Sequence, residues 1–114
     1  MLNKKNRISN RQLIKKLFEK GRLHKNKLFT FRYLPSIEPV SKFAAVVSSK
    51  ICKKAVDRNK LRRQIFEAVR LNLNLIKTPI IALIIAKQGS INGDYKAIND
   101  SILEFINQDD LNVQ

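Results

Sequence analysis

The chain has 114 residues, 23 Lys and Arg against 9 Asp and Glu, and a formal net charge of +14. Its 44% hydrophobic and 28% charged content is that of a globular domain, which excludes wholesale disorder, and the length allows one modest core but not two. A positive surplus of this size favours polyanionic partners and makes such binding fall with salt.

Along the chain, the charged N-terminus is followed by no apolar run, so no signal peptide is expected. Ser9 followed by Gln12 reads as a capping box, and Leu13, Ile14, Leu17 and Phe18 recur at helical spacing until Gly21 stops the run. The basic stretch around His24 reads as a connector. "LFTFRYL", residues 28–34, is rich in aromatic and β-branched residues and ends at Pro35, which predicts a strand. In it Phe29, Phe31 and Tyr33 alternate with Thr30, Arg32 and Leu34, so one set is expected to face the core. "KFAAVVS", residues 42–48, reads as its hairpin partner.

A second helix is expected from about Ala55 to Asn72. "PIIALIIAK", residues 79–87, is a continuous apolar run of strand length, as for a strand covered on both faces. It is far too short to span a bilayer. Ile98, Ile102, Phe105 and Ile106 form the stripe of a last helix, and residues 109–114 are expected to fray. The order is α-β-β-α-β-α, helices on a small mixed sheet, in one domain covering residues 1–108.

Charge is segregated along this order. Residues 1–70 carry 20 of the 23 Lys and Arg against 4 acids, and residues 71–114 carry 3 against 5. One binding face drawn from the first two-thirds is the simplest reason. Cys52 is the single cysteine, so no intramolecular disulfide can form, and a reducing, cytoplasmic setting is expected.

Protein-borne catalysis finds no support in the pattern. His24 is the single histidine, the acids form no spaced pair, the three glycines are isolated, and Cys52 lacks a ligand set for zinc. The second helix is richer. At 100° per residue, Leu61, Ile65, Ala68 and Val69 form a core-facing stripe. Arg58, Arg62 and Phe66 make an i, i+4, i+8 row beside it, with Asn59, Arg63 and Arg70 next to that row. Acidic partners at i, i+4 are nearly lacking, and the planar arginine fork suits phosphate oxygens. Phe18 and the strand aromatics could stack on unpaired bases, though core packing is the stronger claim on each.

These residues resemble the family of bacterial ribonuclease P protein components. Its signature, approximately V-S-K-K-V-G-K-A-V-x-R-N-R-x-K-R-x-x-R-E, is matched here by "SSKICKKAVDRNKLRRQIFE" through Ser49, Lys50, Lys54, Ala55, Val56, Arg58, Asn59, Arg62, Arg63 and Glu67. "KNRI" at 5–8, "LFEKG" at 17–21 and "IIAK" at 84–87 resemble three outlying motifs, so the likeness covers roughly residues 4–106. Three positions depart from it: Ile51 stands where the family has Lys, Lys53 where it has Gly, and Phe66 where it has Arg.

The resemblance implies an α+β sandwich like the second domain of ribosomal protein S5, with a left-handed β-α-β crossover. It implies a subunit of an endonuclease whose large RNA, with bound Mg²⁺, removes the 5′ leader of precursor tRNA. No cofactor held by the protein, no catalytic residue in this chain, no membrane and no protein partner is implied. Arg58, Asn59, Lys60, Arg62, Arg63, Lys54 and Lys50 would bind the RNA. Phe18, Ile14, Arg32 and Lys50 would line a cleft for the single-stranded leader, with Ile14 and Arg32 in place of aromatics. The competing reading is a structural RNA-binding protein of S5-like fold, ribosomal or other, with no part in tRNA processing.

Overall fold

A computed structural model describes residues 2–91 and 93–108. Within them lie three helices, α1 (Arg11–Lys20), α2 (Ala55–Asn72) and α3 (Tyr95–Ile106), and four strands, β1 (Arg22–Lys25), β2 (Phe29–Pro35), β3 (Lys42–Val46) and β4 (Ile80–Ala86). The predicted residues 109–114 lie outside those described.

The strands form one mixed sheet in the order β1-β2-β4-β3. β2 lies antiparallel to β1 and to β4, and β3 lies parallel to β4. This corrects the expected β2–β3 hairpin: β4 inserts between them, pairing Tyr33 with Ala82 on one side and Phe43 with Ala82 on the other. A strand alternation declares a buried face but names no partner, and the parallel β3–β4 pair needs a long crossover, which α2 supplies. That β3-α2-β4 unit is the one to which the resemblance assigned a left-handed connection.

The expected connector at His24 is also corrected. Residues 22–25 form β1, an edge strand whose side chains are mostly exposed. Four residues with no apolar alternation give no strand signal; their pairing with Arg32 and its neighbours holds them.

α1 covers one sheet face, and α2 and α3 cover the other. Phe29, Phe31, Tyr33, Phe43, Ala82 and Ile84 point to the α2/α3 side and bury against Leu61, Ile65, Ala68, Val69, Ile98, Ile102, Phe105 and Ile106. The rings of Phe31 and Phe105 stack with centroids 4.1 Å apart. On the other face Leu17 of α1 buries against Ile81 and Leu83, with Ile14, Leu34, Ala44, Val46 and Ile85 half-buried around them. β4 is thus apolar on both faces, as its unbroken run predicted.

Caps set the ends of α1. Asn10, one residue later than the expected Ser9, is the N-cap, its side chain accepting from the Gln12 amide at 2.8 Å. Gly21 closes the helix through its amide to the Leu17 carbonyl, and a Cβ there would lie 2.4 Å from that oxygen. The outlying motifs turn out to be scaffold. Asn6 donates to the Ser41 carbonyl at 2.8 Å, and the Ile8 amide donates to the Phe43 carbonyl at 2.8 Å, laying the N-terminal segment beside β3. Lys87, at the end of β4, donates to the Asn26 carbonyl at 2.8 Å.

Candidate nucleic-acid interface

The interface is built on α2 and the turn before it. Ser48 closes that turn: its carbonyl accepts from the Cys52 amide and its hydroxyl from the Lys50 amide. Lys50, Lys53 and Lys54 project from the turn into solvent. Among the described residues no non-glycine residue has positive φ, so Lys53 stands in the family's glycine position on ordinary backbone. Ile51, in place of a lysine, is half-buried against the main core. Cys52 is buried.

α2 presents its core stripe as expected, with Leu61, Ile65, Ala68 and Val69 all buried. The predicted basic row divides by role. Arg58 turns back along the helix and donates from Nη1 to the carbonyls of Cys52, at 3.0 Å, and Lys53, at 2.8 Å. Lys54, the α2 N-cap, makes no side-chain cap bond, so Arg58 is the side chain that secures the approach to the helix. The helical wheel could not show this, because it gives a residue's angle and not the loop carbonyls beyond the first turn.

Arg70 is engaged by Glu67 through Nε and Nη2. That hydrogen bond is the largest influence on Glu67 and holds its carboxyl down at about 2. Arg70, which stands beside the basic row on the wheel, is therefore paired with an acid, through an i, i+3 contact that the scarcity of i, i+4 partners did not cover.

What remains pointing outward is Asn59, Lys60, Arg62 and Arg63. The Asn59 side-chain oxygen accepts from Arg62 Nη2, which orients that guanidinium. With Phe66 these three residues, Asn59, Arg62 and Arg63, line a shallow hollow of about 230 Å³. Phe66 is half-buried and packs on the main core, although the wheel sets it in one row with Arg58 and Arg62. A second hollow, about 320 Å³, opens on the far side of Arg63, between Lys60, Arg63, Gln64, Glu67 and Tyr95. Gln64 and Tyr95 were not singled out in the sequence. Tyr95 stands one turn before Ile98 on the α3 stripe, a spacing that could have drawn notice to it.

The predicted cleft residues sit elsewhere. Ile14 and Phe18 lie on α1, Ile14 half-buried and Phe18 46% exposed. Arg32 lies on β2 facing the α1 side, its Cβ 3.3 Å from where a Gly21 Cβ would stand. Lys50 belongs to the turn that leads into α2. The α1 side of the sheet thus gathers three of the four, and Lys50 stands with the α2 set. On the opposite flank of α1, Leu13, Lys16, Lys20, Leu34, Pro35 and Ile37 line a larger groove of about 530 Å³.

His24 is bound into a structural cluster. Its Nε2 lies 3.1 and 2.9 Å from the two Glu104 oxygens, and Asn26 donates to Glu104 at 2.9 Å and to the Ser101 carbonyl at 3.0 Å. Burial pushes the Glu104 carboxyl up, but the hydrogen bonds from Asn26 and His24 outweigh it, and the net shift is downward. Among the described residues, no group of three His, Cys, Asp or Glu side chains comes together to hold a metal ion. No described helix is long and apolar enough to cross a membrane.

Comparison with known proteins relates the chain as a whole to one family. The family model described as Ribonuclease P matches residues 2–108. A ribonuclease P protein component from Clostridioides difficile is 31% identical over 100 residues, spanning 87% of this chain and 87% of that protein. One from Clostridium botulinum is 29% identical over 104 residues, spanning 90% of this chain and 93% of that protein. The RNase P protein of Thermotoga maritima superposes with a TM-score of 0.80 at 23% identity, covering 88% of this chain and 94% of that one. That of Staphylococcus aureus gives 0.79 at 23% identity, covering 87% and 90%. Matched from Leu2 to Gln108 in sequence and sharing the fold of these structures, the chain belongs to the ribonuclease P protein component family.

Proposed function

We propose that this chain is the RNA-binding subunit of a ribonuclease P holoenzyme and grips its RNA through the outward face of α2. Asn59, Lys60, Arg62 and Arg63, with Lys50 and Lys54 from the preceding turn, contact phosphates. Arg58 acts through the loop it holds. The catalytic step, removal of the 5′ leader from precursor tRNA, belongs to the large RNA with its Mg²⁺, and this chain supplies binding and positioning. Ile14, Phe18 and Arg32 guide the single-stranded leader along the α1 side of the sheet, by charge and one aromatic.

The observation that carries this reading is the division of labour on α2: its apolar stripe is consumed by the core while the adjoining Asn59, Lys60 and Arg63 remain exposed. An arginine fork oriented as that of Arg62 is by Asn59 suits phosphate oxygens. The test is reconstitution with a bacterial ribonuclease P RNA at low Mg²⁺. Stimulated 5′ processing of precursor tRNA is expected; processing no faster than with RNA alone would overturn the reading. Co-purification with ribosomal subunits instead would favour the structural RNA-binding alternative.

A further inference from the structure

Arg63 forms a ridge between two hollows, and each hollow has one aromatic in its wall: Phe66 on one side and Tyr95 on the other. The two rings are differently placed. Phe66 is half-buried and packs on the main core. Tyr95 is 39% exposed at the first turn of α3. It continues the stripe of Ile98 and Ile102 one turn beyond the core, to a level where α2 presents Lys60, Arg63, Gln64 and Glu67 in place of apolar side chains. An aromatic ring with one side facing water and two cations beside it is suited to a flat, negatively charged ligand.

We propose that this hollow holds one unpaired nucleotide of the RNA partner, its base stacked on Tyr95 and its phosphate against Lys60 and Arg63. The inference rests on the RNA-binding reading above and extends its footprint from α2 onto α3. The polar lining is consistent with this orientation. Glu67 would repel a phosphate, but its carboxylate is occupied by Arg70, so the phosphate is directed to the Lys60 and Arg63 end. Gln64 has both an amide donor and a carbonyl acceptor to offer a base edge. Asp94, the α3 N-cap, spends its side chain on the Ala97 amide at 2.8 Å, which fixes the turn that carries Tyr95.

Stacking is sequence-tolerant and adds no ionic contact, so it leaves a distinct signature. The experiment measures equilibrium binding of the full chain to a bacterial ribonuclease P RNA across a salt series. Tyr95→Ala and Tyr95→Leu are expected to weaken binding about ten-fold at every salt concentration, with the salt slope unchanged. Tyr95→Phe, which keeps the ring, stays within about two-fold of wild type. Arg63→Ala reduces the slope by about one. Far-UV circular dichroism and melting of each variant confirm that it is folded. If folded Tyr95→Ala and Tyr95→Leu bind as wild type while Arg62→Ala and Arg63→Ala bind weakly, the Tyr95 site is wrong and the RNA-binding reading survives. If the arginine variants also bind as wild type, the RNA-binding reading itself fails.

Discussion

Arg58 and Arg62 are one helical turn apart and look equivalent in the sequence, yet they answer different needs. Arg58 satisfies two loop carbonyls, at Cys52 and Lys53, whereas Arg62 donates to the side chain of its exposed neighbour Asn59. Arg58→Ala should therefore lower stability by about 0.5–1.5 kcal/mol, the net worth of hydrogen bonds that water can partly replace, and weaken RNA binding as the turn loosens. Arg62→Ala should change stability by less than about 0.5 kcal/mol and weaken RNA binding all the same. Denaturant melts beside binding curves separate the two. A second residue-scale prediction concerns acid. The Glu104 carboxyl titrates below its ordinary value in the folded chain, so it contributes stability above the ordinary carboxylate range of about 4.3, and that contribution is lost as pH falls through the lowered folded value. The carboxylate is half exposed, so the effect is modest. Glu104→Gln should lower the melting temperature at neutral pH, and the gap to wild type should close below about pH 4.

Elements show which features the sequence could declare. α2, β4 and α3 were legible because each buries a periodic or unbroken apolar set, and burial dictates that pattern. β1 was not, since an edge strand of Arg22, Leu23, His24 and Lys25 owes its conformation to pairing with β2. The partner of β3 was hidden for a different reason: Phe43 meets Ala82 across a crossover, and alternation carries no information about which strand lies beside it. The site divides in the same way. The basic outward face could be read from charge and the wheel, but the inward turn of Arg58 and the capture of Arg70 by Glu67 depend on side-chain partners that angular position does not reveal. At this scale the outward face of α2 makes a collective prediction. If about six phosphates are neutralised, log K should fall against log salt with a slope near −4 to −5.5. A slope near zero in a filter-binding or fluorescence titration would refute the electrostatic account. The α1 cap is a separate matter: Asn10→Ala should cost about 1 kcal/mol, read as a lower denaturation midpoint.

The whole molecule joins recognition to stability, because the helix that carries the basic face is also the crossover that connects β3 to β4. If RNA binds α2 of the native fold as proposed, and not the unfolded chain, its binding opposes global unfolding. At an RNA concentration 100 times the dissociation constant, linkage adds about 2.7 kcal/mol, or roughly 10 °C in melting temperature for a chain of this size. Differential scanning fluorimetry with and without the RNA measures it, and an unchanged melting temperature at saturating RNA would contradict binding to the native fold. The position of β4 has a consequence for synthesis. A ribosome that has released the chain as far as Pro79 has delivered all of α1 and α2 and every residue of the basic face, yet β2 and β3 still lack the strand that lies between them. Until the seven residues of β4 emerge, the nascent chain has every residue of the proposed RNA-binding face and no finished sheet beneath it. A product truncated before β4 would therefore be cleared as an unfolded polypeptide instead of persisting as a rival for the RNA.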